Sequence, residues 1–177
     1  RPMDTETILV AIDPRAHAQE IVAEASVLAA KLGAELVLLH VFPVKPAVDL
    51  DVLLHPEAHP VAAVAMRDEE RAALPTLREL ATLATSRGAR ARLRVAHGEV
   101  VQAILEVAAD VGAGLIVLGT HGRRGIPRLA LGSVAESVLR ESPVPVLALR
   151  GGRGPAHGRV VHHEVPLDPG AVTEAKD

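Results

Sequence analysis

The chain has 177 residues, 49% of them hydrophobic, and its 19 Lys+Arg against 22 Asp+Glu give a net charge of −3. A chain of this length can bury roughly 70% of its unfolded surface as one domain, its hydrophobic content speaks against a disordered chain, and its charge balance excludes a generally basic, nucleic-acid-binding surface. One Phe and no Trp, Tyr or Cys remove stacking platforms for single strands, aromatic cages, disulfides, thiol nucleophiles and cysteine metal sites.

The polar start, Arg1 to Glu6, has no signal-peptide layout, and no apolar run approaches the ~20 residues of a membrane span. A cytoplasmic location without membrane or nucleic-acid partners is expected. Thr7–Ile12 (TILVAI) is a short β-branched run that predicts a strand. Ala16–Leu32 predicts a helix with Ala18, Ile21, Val22, Ala25, Leu28, Ala29 and Leu32 on one face and Gly33 as its stop. Glu35–Phe42 (ELVLLHVF) lacks polar alternation, as a strand buried on both faces does. Prolines 43, 46, 56 and 60 mark residues 43–61 as a loop insertion. A helix from about Ala63 to Arg87 follows, with Pro75 a kink or break.

Ala89–Ala96 alternates Arg90, Arg92 and Arg94 with small or apolar residues, the pattern of a strand near a sheet edge. Glu99–Val111 predicts a helix stopped by Gly112, and Leu115–Leu118 (LIVL) a buried strand. A glycine-rich loop, a helix near Val134–Glu141 and a fifth strand, Val144–Leu149, complete a domain over residues 1–150. Beyond Arg150 the sequence GGRGPAHG changes character, and residues 151–177 read as a flexible tail.

Alternation of strand and helix implies an α/β fold, a doubly wound five-stranded parallel sheet in the order 3-2-1-4-5 with helices on both faces. Ligands of such sheets bind at the carboxyl ends of the strands that flank the reversal in order. Those ends are Ile12-Asp13 and Leu118-Gly119.

The second of these opens a run with the spacing G-x2-G-x9-G-S: Gly119, Gly122, Gly132 and Ser133, running from strand into helix. Glycines let a backbone approach an anion, and amides opening a helix point at it with the positive end of the dipole. Arg123, Arg124 and Arg128 lie within the loop, and guanidinium suits phosphate geometry. His121 is placed either to touch phosphate or to act as a spacer. The alternative is structural, since Ser133-Val134-Ala135-Glu136 is also a capping box. Asp13 divides similarly: a carboxylate at a strand end accepts from sugar hydroxyls, or it caps the helix that follows.

From about Glu6 to Arg150 the chain resembles the universal stress protein family, in its ATP-binding branch. The resemblance rests on the G-x2-G-x9-G-S loop together with ILVAID, LHVF, LIVLGTHG, GSVAESVL and SPVPVLAL. It implies a Rossmann-like domain, an adenine nucleotide at the reversal (ATP with Mg²⁺, or ADP or AMP) and a homodimer through the fifth strand. It also implies that Asp13 contacts the ribose, that Ala11 and Val41 line the adenine (Val41 through its backbone), and that Gly122, Gly132 and Ser133 contact the phosphates. Pro14-Arg15 departs from the small residues common after the acid, and Gly114 stands where Asp is frequent.

His55 and His59 have a metal-like i, i+4 spacing, but Pro56 and Pro60 oppose a regular helix and no third ligand is identifiable. No Walker A sequence, nucleophile elbow or aligned general base is present, so hydrolysis is expected to be slow or absent. The alternative function is an interaction protein of the same fold, with an empty pocket, that engages an unknown protein partner through its dimer surface.

Overall fold

Five apolar runs form the strands β1 (Thr7–Ala11), β2 (Glu35–Pro43), β3 (Arg90–Gly98), β4 (Leu115–Gly119) and β5 (Val146–Leu149). The computed structural model describes residues 5–14, 17–44, 54–119 and 132–150. Every strand pair is parallel and the order is β3-β2-β1-β4-β5, as the sequence predicts. Among the described residues the connections contain the helices α1 (Ala18–Leu32), α2 (Pro60–Ser86), α3 (Val100–Asp110) and α4 (Ser133–Glu141).

Burial on both faces explains the unbroken apolar strands. Ile8, Val10, Leu36, Leu38 and Val117 pack with Ile21, Val22 and Ala25 of α1 and Leu77 and Leu80 of α2. On the opposite face, Leu9, Val37, Leu39, Ile116 and Leu118 pack with Ala103, Ile104 and Ala108 of α3 and Ala135 and Val138 of α4. The outer strand β3 keeps its arginines at the surface, where Arg92 pairs with Glu35 at 3.2 Å and Arg94 with Asp110 at 2.8 Å.

Several boundaries differ from the sequence expectation. α1 begins at Ala18 rather than Ala16, because His17 takes a left-handed conformation (φ 49°, ψ 17°) and becomes its N-cap. Leu32, expected on the inner face, is exposed where Gly33 turns the chain away at φ 68°. β3 runs on to Gly98, and Glu99 caps α3 with its carboxylate accepting from the Gln102 amide at 2.8 Å. β5 starts at Val146, with the Pro145 carbonyl accepting from the Ile116 amide at 3.0 Å just before it.

The expected loop 43–61 is shorter than its prolines suggest. Pro43 still belongs to β2, and Pro60 opens α2 at a position where a missing N–H costs nothing. Residues 45–53 and the expected tail 151–177 lie outside the described residues. Pro75 does not break α2, which continues through it to Ser86. Burial of Leu77, Leu80 and Ala84 downstream outweighs the lost hydrogen bond to the Arg71 carbonyl. Because Pro75 is exposed, Pro75→Ala restores that bond without repacking. It is expected to stabilise the fold by about 2 kcal/mol, read as a higher urea midpoint at unchanged slope.

Candidate functional site

The chain moves outward from β1 through β2 to β3, then returns to β4 on the other flank of β1. In sheets of this order the crossovers on the two sides of the reversal run to opposite faces, and ligands bind at the carboxyl ends of the strands that flank it, here β1 and β4. Ala11 sits between Leu39 of β2 and Leu118 of β4. Asp13 follows two residues on, and Gly119 closes β4, so both leave adjacent strands at the same edge of the sheet.

Asp13 is partly buried. It is not the cap of α1, since His17 holds that position, and Pro14 biases it away from helical geometry. The residue before it is anchored on both sides: the Ile12 amide donates to the Leu39 carbonyl at 2.9 Å, and the Ile12 carbonyl, which belongs to the Ile12–Asp13 peptide, lies 2.9 Å from Nδ1 of His40.

Ala11 packs against the core face shared with α3 and α4, and Val41 is buried within it. The Val41 side chain thus serves the core. Gly119 has a packing reason of its own, since a Cβ there would run into Cδ1 of Ile21 on α1. Gly132, extended at φ −58° and ψ 145°, is the N-cap of α4. The capping box expected at Ser133 is therefore absent. Ser133 is the first helical residue and is exposed, one place too late to cap.

The two ends of the glycine run are thus positioned by β4 and α4. His121, Gly122 and Arg123, with Arg124, Arg128 and the Arg15 that follows Pro14, lie outside the described residues. His55 and His59 sit on a turn closed by the Ala58 amide on the His55 carbonyl at 3.0 Å, not on a helix. Among the described residues no group of three potential metal ligands occurs, and no helix is long and apolar enough to cross a membrane.

Two features were not anticipated from sequence. A cavity of about 410 Å³ opens between the start of α1 and α2, lined by Pro14, His17, Gln19, Glu20, Thr76 and Glu79 among others. Its left-handed His17 and its position across two distant helices leave no sequence pattern to read. The second is a file of rings beside the Asp13 turn. His40 meets Phe42 in a T-shaped contact at 4.6 Å, and Phe42 stacks on His97 at 5.1 Å. Here a signal existed, for His40 is the one polar side chain within the apolar run LVLLHVF, and a buried polar group needs a partner.

The model of the universal stress protein family matches residues 5–150. The chain belongs to the universal stress protein family. A universal stress protein of Thermus aquaticus, described by its location 3′ of a QAH/OAS sulfhydrylase, is 34% identical over 82% of this chain and 98% of its own. Among solved structures, the universal stress protein UspA of Lactobacillus plantarum superposes with a TM-score of 0.67 at 26% identity, covering 82% of this chain and 98% of that one. A universal stress protein solved in complex with cAMP superposes with a TM-score of 0.59, also at 26% identity, covering 84% and 98%. Members of this family therefore share the fold described above, and one of them holds an adenine nucleotide.

Proposed function

We propose that this chain binds an adenine nucleotide at the reversal between β1 and β4, as ATP with Mg²⁺ or as ADP or AMP. The observation that carries the reading is the exit of Asp13 and Gly119 from adjacent strands at that edge. Asp13 accepts from ribose hydroxyls, Ala11 and the Val41 backbone flank the adenine, and Gly119, His121, Gly122, Arg123, Gly132 and Ser133 attend the phosphates. The cAMP complex of a relative supports the ligand class. Gly132 has no side chain to cap α4, so the first-turn amides suit an anion. Mg²⁺ prefers hard oxygen donors and few protein ligands, and would enter on the phosphates.

The protein acts as a nucleotide-responsive stress or signalling module in the cytoplasm, as a homodimer through β5. Among the described residues no side chain is aligned as a general base, and hydrolysis is slow or absent. A second reading, an interaction protein with an empty pocket, would use the same uncharged outer strand β5, which exposes Leu147.

Ser133 separates phosphate binding from a structural role. Because Gly132 is the cap, Ser133→Ala should change stability by less than about 0.5 kcal/mol in chemical denaturation. Its ATP affinity should fall while AMP affinity holds. Equal losses for both nucleotides would remove Ser133 from the phosphate site.

A further inference from the structure

The ladder between β1 and β2 ends with the Ile12 amide on the Leu39 carbonyl. The next polar group, the Ile12 carbonyl, belongs to a residue only 5% exposed, and a buried carbonyl beyond a ladder's end needs a donor. His40, 8% exposed, reaches it with Nδ1 at 2.9 Å. A carbonyl only accepts, so this contact requires the proton on Nδ1. The ring is held in turn: Phe42 meets it edge-on at 4.6 Å and 83°, His97 stacks on Phe42 at 5.1 Å and 20°, and Nε2 of His97 lies 3.7 Å from Oε2 of Glu70 on α2.

We infer that His40 is a positioning residue, whose imidazole replaces the missing backbone rung and fixes the Ile12–Asp13 peptide, thereby aiming the Asp13 carboxylate at the ligand's hydroxyls. The carbonyl it grips is the last atom group before the Asp13 backbone, so a swing about that peptide moves the carboxylate directly. Pro14 restricts the chain on the other side of Asp13. The two constraints together hold a residue that lies past the end of its strand. The aim toward hydroxyls rests on the nucleotide reading; the anchoring of the peptide does not.

The test pairs His40→Leu, which removes the donor, with His40→Asn, whose amide Nδ2 can stand where Nδ1 stood. Amide hydrogen exchange reads the anchor without any ligand. In His40→Leu, exchange at Ile12 should quicken about tenfold relative to Val117 of β4, and His40→Asn should restore it. Global destabilisation would move both amides together and overturn the inference. Calorimetry with ATP and 2′,3′-dideoxy-ATP reads the aim. The wild type should prefer ATP by about tenfold, His40→Leu should lose that preference, and His40→Asn should regain it. A preference surviving in His40→Leu would overturn the inference. A wild type that binds neither nucleotide would defeat the nucleotide reading alone, and exchange at Ile12 would still decide the anchor. Nitrogen-15 spectra of the wild type in mildly alkaline buffer need no variant: an Nδ1-protonated His40 is expected, and an Nε2-protonated ring would overturn the assignment.

Discussion

Gly132→Val should cost ATP affinity on the order of 100-fold while the chain stays folded. The backbone at Gly132, φ −58° and ψ 145°, lies in a region that valine adopts readily. No backbone strain accompanies the new side chain, and replacing a glycine cap by valine costs about 1 kcal/mol at most, so a large loss of affinity reports the space it fills. That space is where phosphates would approach the start of α4, and a branched Cβ there keeps them at a distance. Circular dichroism and a urea midpoint close to wild type, with calorimetry showing no saturable ATP heat, are the expected pair of results. Affinity equal to wild type would place the phosphates elsewhere.

Leu147→Glu should convert the proposed dimer into a monomer. Among the described residues β5 is an outer strand paired with β4 alone, and Val146–Leu149 carries no charge. An exposed apolar edge is a template for pairing unless it is covered or charged. Pairing with its own copy across a two-fold axis satisfies the free backbone groups and buries Leu147, which is 36% exposed in the single chain. A carboxylate at the centre of that contact, repeated by symmetry, sets like charges together in a desolvated interface. Light scattering should show the wild type at twice the chain mass and the variant at one. The competing cover is the segment 159–165 (RVVHHEV) folding back over β5. A full-length monomer that dimerises only when truncated after Arg150 would establish that cover instead.

The sheet was legible because its strands are short, β-branched or leucine-rich, and buried on both faces. TILVA, ELVLLHVF and LIVLG need no partner information to be recognised, and right-handed crossovers leave few orders to choose from. What escaped was set by local geometry or by distant contacts. Pro75 reads as a break, but packing of Leu77 and Leu80 against the sheet carries α2 through it. Ser133-Val134-Ala135-Glu136 satisfies the capping-box pattern, yet the extended conformation of Gly132 shifts the helix start by one residue. His17 as a left-handed cap has no sequence signature, being neither Gly nor Asn. At the site, the positions of Asp13 and Gly119 follow from strand order alone. The grip of His40 on the Ile12 carbonyl joins residues 28 apart in sequence, and only the fold brings them together.

Nucleotide binding itself is most directly tested on protein stripped of ligand by unfolding and refolding. With no Trp or Tyr in the chain, its near-ultraviolet absorbance is almost nil, so any nucleotide carried through purification is visible at once and its removal is easily verified. Calorimetric titration of the stripped protein with ATP and Mg²⁺ should then give saturable heat with a single nucleotide per chain. No heat with ATP, ADP or AMP would contradict the account.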